Sequence, residues 1–155
     1  VLKDAVVDAD IIVTATSAQA PLLKAAWIKK GAFYSHIGGW EEEFAVPRMA
    51  DKIVCDDWET VKHRTQTISR AYKAGEITDA DIHCNLVDLL DGTKSGRDSE
   101  EEFTYFNAVG LAYVDVSIAY AMYCRAKEGG HGTTMALQED MIFEKKNLAQ
   151  KVRLG

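Results

Sequence analysis

The chain has 155 residues, the size of one domain, and its 47% hydrophobic and 27% charged residues allow both a buried core and a solvated surface. A formal net charge of −6 with no basic patch argues against nucleic acid as a partner. The apolar runs are too short to cross a bilayer, and the opening residues, with Lys3, Asp4, Asp8 and Asp10, lack the basic-then-apolar order of a signal peptide.

Val1–Ala9 reads as the tail of an amphipathic helix. Asp10–Ala15, "DIIVTA", is a β-branched apolar run that suits a strand covered on both faces. Thr16–Ala20 is a small-residue turn, and Leu22–Ile28 makes one or two helical turns that end at Lys29, Lys30 and Gly31. Ala32–Ile37, "AFYSHI", is a second strand running into Gly38-Gly39, followed by loop and short helix over "WEEEFAVPRMA", where Pro47 restricts the helix. Lys52–Cys55 is a third strand. Asp57–Ala74 reads as one long helix, capped by Asp57 and stopped by Gly75.

Thr78 caps a further helix over Asp79–Leu90, with Asp81 completing a relative of the capping box. Asp91–Ser99 is a polar turn and Phe103–Asn107 a fourth strand. Gly110–Lys127 is a strong helix broken by Gly129, Gly130 and Gly132, and Ala149–Leu154 has helical character. The three cysteines, Cys55, Cys84 and Cys124, and the four histidines fall at no zinc-ligand spacing. No metal is expected, and free thiols in a reducing, cytoplasmic setting are the simplest reading.

Alternating strands and helices argue for a parallel α/β sheet, in which ligands sit beyond the carboxyl ends of the strands. Three small-residue segments occupy that edge: Thr14, Ala15, Thr16 and Ser17; Ile37, Gly38 and Gly39; and Asn107, Ala108, Val109 and Gly110. Small residues let a flat ring approach the backbone, and exposed amides there can bond a carboxamide. The phosphate cradle G-x-G-x-x-G is absent from the sequence. The expected fold is therefore a partial Rossmann-like parallel sheet with flanking helices, lacking its first βαβ half, which would lie upstream of Val1.

The stretch Ala9–Gly39 runs from an Ala-Asp-Ile strand ending Thr-x-Thr, through a proline and a Trp-x-Lys-x-Gly turn, to a strand ending Ile-Gly. With "AGEITDADI" (Ala74–Ile82) and "GTKSGRDSEEEFTYFNAVGLAYVD" (Gly92–Asp115), it resembles the second half of the Rossmann domain of the ornithine cyclodeaminase/μ-crystallin family. The resemblance covers roughly Ala9–Ala126. It implies an NAD(P)-dependent oxidoreductase portion acting on amino or imino acids, of dehydrogenase, imine reductase or cyclodeaminase type. Residues 1–128 would be the C-terminal half of the NAD(P)-binding domain, and residues 129–155 part of the substrate and dimerisation domain. The family's glycine-rich loop and its N-terminal lysine and arginine are missing, so the chain is expected to be inactive alone. A homodimer or higher homo-oligomer is expected, with small amino or imino acids as substrates once an N-terminal half is supplied. The alternative is a truncated, non-catalytic binding or dimerisation module of the μ-crystallin kind.

By the same resemblance, Thr14, Ala15, Thr16 and Ser17 would lie along NAD or NADP. Ile37 and Gly38 would border the nicotinamide, and Asn107, Ala108, Val109 and Gly110 would face it from the other side. Cyclodeaminases place an aspartate directly after the second glycine; here Trp40 stands there and Glu41 follows. Glu41 either takes over as the catalytic carboxylate or is a solvated member of the Glu41–Glu43 run, the second reading being preferred. Strand alternation turns His36 away from Ile37, as a packed and satisfied histidine. His63 and Arg64 read as surface, Tyr113, Tyr120 and Tyr123 as core or subunit contact, and Arg97 as paired with Asp98 or a neighbouring acid.

Overall fold

The structure, a computed structural model, describes residues 1–135. Contacts divide it into a unit over Val1–Leu111 and a second beginning at Ala112. In chain order the strands are β1 (Ile11–Thr14), β2 (Gln19–Leu23), β3 (Phe33–His36), β4 (Trp40–Glu42), β5 (Lys52–Cys55), β6 (Ile82–Asn85) and β7 (Thr104–Asn107). The helices are α1 (Leu2–Val6), α2 (Ala45–Arg48), α3 (Trp58–Val61), α4 (Thr67–Lys73), α5 (Leu86–Leu90) and α6 (Ala112–Glu128).

Five strands form one all-parallel sheet in the order β1-β3-β7-β5-β6, and β2 pairs with β4 in a separate parallel ribbon. The main sheet is built from the β-branched and aromatic runs IIVT, FYSH, TYFN and KIVC, which fit a pleated, packed surface. Its connections from β1 to β3, β3 to β5 and β5 to β6 all step the same way. Right-handed crossovers put all three on one face. Val46, Val61, Ile68 and Ala71 from those connections accordingly share one core cluster with Ile12, Tyr34, Ile53 and Tyr105 of the sheet. Each large apolar side chain buried there contributes about 1.5–3 kcal/mol. The β6-to-β7 connection steps back, so it crosses the other face.

The four predicted strands appear as β1, β3, β5 and β7 to within a residue or two, but other expectations fail. The segment after Thr16 is not turn then helix: β2 begins at Gln19, and only a single 3-10 turn over Ala25–Trp27 is helical. Trp40–Glu42, expected as loop, is β4. The long helix over Asp57–Ala74 is two helices, interrupted at residues 62–66. The interruption lets Thr67 donate its N–H to the Gly39 carbonyl, while the Ser69 hydroxyl and the Arg64 amide both donate to the Val61 carbonyl. Asp57 does stand at the N-cap of α3, but its carboxylate takes the Thr60 hydroxyl rather than a backbone amide.

The helix expected over Asp79–Leu90 is a 3-10 turn, then β6, then α5. The Thr78/Asp81 capping box forms as expected, and a second box, Asn85/Asp88, starts α5. Between them Ile82 and Cys84 pair with β5, so strand pairing overrides a helical pattern.

β1 was expected to be covered on both faces and is covered on one. Within Val1–Leu111, Ile12 and Thr14 are buried, whereas Ile11 is 68% and Val13 58% exposed. The helix expected over Gly110–Lys127 is α6. Its Tyr113, Tyr120 and Tyr123 are exposed. No described helix is long and apolar enough to cross a membrane, and the expected helical segment at 149–154 lies outside the described residues.

Candidate functional site

The strand register sets Thr14, His36, Asn107 and Cys55 in one row at the carboxyl ends of β1, β3, β7 and β5. All four are buried. The loops that leave this row carry the three segments singled out in the sequence. Thr14 lies within the row while Ala15, Thr16 and Ser17 are exposed beyond it; Ile37 is exposed and Gly38 half-buried; Asn107 is buried, Ala108 and Val109 half-buried and Gly110 exposed. The three segments therefore share one edge.

Glu41 fastens the first segment to the second. One carboxylate oxygen accepts the Thr16 amide at 2.6 Å. The other accepts the Thr14 hydroxyl at 2.7 Å and the Gly38 amide at 2.8 Å. Glu41 is fully buried, so it is not the solvated member of an acidic run that was preferred from sequence. The reason is local: β4 turns the chain back beneath the strand ends, carrying Glu41 and Glu42 inward together. Glu42, also fully buried, accepts hydrogen bonds from the Tyr105 hydroxyl at 2.7 Å, the Tyr34 hydroxyl at 3.0 Å and His36 Nδ1 at 2.7 Å. Glu43 bonds the Ala25 amide instead.

His36 is packed and satisfied, as its place in the strand implied. Burial works against its charged form, but the hydrogen bond and charge of Glu42, with Glu41 3.6 Å away, outweigh that and raise its pKa above the usual 6.5. Both ring nitrogens then donate, Nδ1 to Glu42 and Nε2 to the Gly38 carbonyl at 3.1 Å. Burial likewise disfavours the Glu41 carboxylate, but the bonds from Thr16, Thr14 and Gly38 hold its pKa below the usual 4.5. A raised histidine pKa contributes stability that is complete below pH 6.5 and lost as pH rises through the raised value. Urea midpoints should therefore decline from pH 6.5 upward, and His36→Gln should flatten that decline. An unchanged slope in His36→Gln would contradict the charge assigned to this ring.

The third segment is held by residues that sequence reasoning missed. Asp56, following β5, accepts the amides of Val109 at 2.8 Å and Gly110 at 2.9 Å. Gln66, capping α4 and buried, directs its side-chain nitrogen to three carbonyl oxygens: Ile37 at 3.2 Å, Gly38 at 3.1 Å and Ala108 at 3.0 Å. Its oxygen accepts from Asn107 Nδ2 at 2.9 Å. Beside it the Thr67 hydroxyl accepts the Glu41 amide at 3.0 Å. Asp56 is marked in the sequence only by directly following a strand, and Gln66 lies inside the segment read as one helix, where nothing singles it out.

These bonds revise one expectation. The loop amides were to be free for a ligand, but those of Thr16, Gly38, Val109 and Gly110 are taken by Glu41 and Asp56, and Ala108 bonds the His36 carbonyl. The Asn107 side-chain oxygen is buried without a partner. Arg97 also departs from expectation. Its guanidinium donates to the Gly31 and Ala32 carbonyls and to Thr104, and Asp98 pairs with Lys52 at 2.5 Å instead. Open clefts of about 400 and 510 Å³ lie at the amino ends of the strands, around Lys29 and Lys30. Those lysines are already paired, with Asp10 and Glu101 respectively, so neither cleft matches the carboxyl edge as a site. No group of three or more metal-binding side chains occurs among the described residues.

The sequence profile of the ornithine cyclodeaminase/mu-crystallin family matches residues 2–130. The chain is 33% identical to the N-((2S)-2-amino-2-carboxyethyl)-L-glutamate dehydrogenase of Staphylococcus aureus, over 87% of this chain and 40% of that protein. It is similar in structure to the Δ(1)-pyrroline-2-carboxylate reductase of Thermococcus litoralis, solved in complex with NADH and L-proline. That likeness has a TM-score of 0.79 at 33% identity and covers 86% of this chain and 42% of the other. An archaeal alanine dehydrogenase dimer with bound NAD matches with a TM-score of 0.77 at 33% identity, over 88% of this chain and 43% of that one. The chain thus spans about two fifths of the length of the relatives it matches.

Proposed function

Because the chain belongs to the ornithine cyclodeaminase/mu-crystallin family, we propose that it forms the nicotinamide-side portion of an NAD(P)-dependent oxidoreductase acting on amino or imino acids. The observation that carries this reading is the fastening of three small-residue loops at one strand edge by Glu41, Gln66 and Asp56. Hydride transfer needs donor and acceptor carbons held within a few tenths of an ångström, so a floor whose loops are braced from below suits it.

The ring-side residues fit such a cofactor. Gly38 and Ala108 add little bulk at the edge, and Ile37, 47% exposed, offers an apolar surface. When bound, the dinucleotide supplies the hydride chemistry; the chain's own residues position it. Glu41 enters as a positioning residue, since both of its oxygens are engaged by the loops it joins. The diphosphate side has no counterpart here, because no G-x-G-x-x-G occurs in the 155 residues. The bare β1 edge is where a further parallel strand carrying that loop would add.

Titration with NADH, followed by nicotinamide fluorescence, tests the reading. The 155-residue chain alone should bind weakly, and binding should tighten when the N-terminal portion of a family member is supplied. The absence of a response in both arms would leave only a non-catalytic module.

A further inference from the structure

We infer that Gln66, to which the sequence assigned nothing, is a positioning residue that sets the spacing between the two loops flanking the nicotinamide; the inference rests on the function proposed above. Among the described residues, its side-chain nitrogen is the one side-chain group that hydrogen-bonds both loops. It bonds Ile37 and Gly38 on one side and Ala108 on the other, at 3.2, 3.1 and 3.0 Å. Its oxygen fixes Asn107, the last residue of β7, from which the second loop springs.

Two features separate this from ordinary packing. Gln66 is buried, and all four of its side-chain hydrogen bonds go to the two loops or to Asn107. The helix is also interrupted just ahead of it, which costs intrahelical bonds but delivers Gln66 and Thr67 together to the Gly38-Gly39 turn. An amide has two N–H groups, and three carbonyls compete for them. One of them, Gly38, also accepts His36 Nε2, and the grip depends on the amide's length and polarity rather than on bulk. Methionine copies the length without the donors. Glutamate copies the shape but turns a carboxylate onto three carbonyl oxygens.

The test uses the protein as its gene encodes it. NADH dissociation constants and thermal midpoints are measured for wild type, Gln66→Met and Gln66→Glu. Tenfold weaker binding corresponds to about 1.4 kcal/mol. Gln66→Met should weaken NADH by about that factor, with a Tm change too small to unfold it at the assay temperature, and Gln66→Glu should weaken it further. Should Gln66→Met fail to fold, Gln66→Asn, one methylene too short to span both loops, carries the same expectation. Wild-type binding with variant affinities within twofold of it, or a loss that only follows the unfolded fraction, overturns the role of Gln66 and leaves the functional reading standing. No NADH response from wild type overturns both.

Discussion

Replacing Glu41 by glutamine is expected to lower stability by about 2–4 kcal/mol, on the order of 10 °C in Tm for a unit of this size. Two effects oppose each other. Removing a buried carboxylate relieves a desolvation cost, and alone it can be neutral or better. It also leaves His36 and Glu42 as a balanced pair. Against that stand three donors aimed at one group: the Thr16 amide, the Thr14 hydroxyl and the Gly38 amide, between 2.6 and 2.8 Å away. A glutamine offers one acceptor oxygen. In either orientation its NH₂ faces a donor, so at least one backbone amide is stranded at about 1–3 kcal/mol, and the surviving bonds lose their charge assistance. The donors decide the sign. Glu41→Asp should not rescue, because a shorter side chain cannot reach the β1 and β3 loops together. Urea unfolding of the two variants measures this, and a Glu41→Gln loss under 0.5 kcal/mol, within the ordinary scatter of surface changes, would mean the carboxylate bonds contribute little.

Gly38→Ala should cost a similar amount, about 3 kcal/mol, by another route. A Cβ at Gly38 would overlap the Thr16 carbonyl oxygen and stand 2.5 Å from the Glu41 carboxylate. Neither neighbour is the free end of a flexible chain. Thr16 is backbone, and Glu41 is pinned by the bonds described above. The loop must shift, and the Gly38 amide then leaves Glu41, so overpacking and a lost charge-assisted bond add. Gly110→Ala makes an instructive control. Its φ of +82° makes it a strained site for any side chain, but a Cβ there meets nothing within 4 Å, so about 1 kcal/mol is expected. A Gly38→Ala loss no larger than that at Gly110 would show that the loop yields to the added Cβ at little cost.

The sheet was legible because its strands are short apolar runs bounded by turn residues. "DIIVTA" and "AFYSHI" declare themselves, and the small residues after them mark the edge at which a ligand would sit. β6 was not legible, since "IHCN" lies between two capping boxes and only its pairing with β5 makes it a strand. β4 was hidden for a different reason. Three consecutive glutamates read as a solvated run, and nothing in their periodicity reveals that the chain doubles back and buries two of them against Tyr34, Tyr105 and the Thr16 and Gly38 amides. The packed state of His36 followed from alternation alone. Gln66 and Asp56 act on loops 28 to 54 positions away, and such separations leave no local signature.

The central claim is that the carboxyl edge of this sheet receives a nicotinamide ring. Backbone amide shifts of the isotope-labelled protein, recorded as NADH is added in the presence of the family's N-terminal portion, report on it residue by residue. Shifts concentrated at Ile37, Gly38, Gly39, Ala108 and Gly110 are the predicted result. Shifts confined to the opposite strand ends, around Lys29, Lys30 and Arg97, or a spectrum that NADH leaves unchanged, would contradict it.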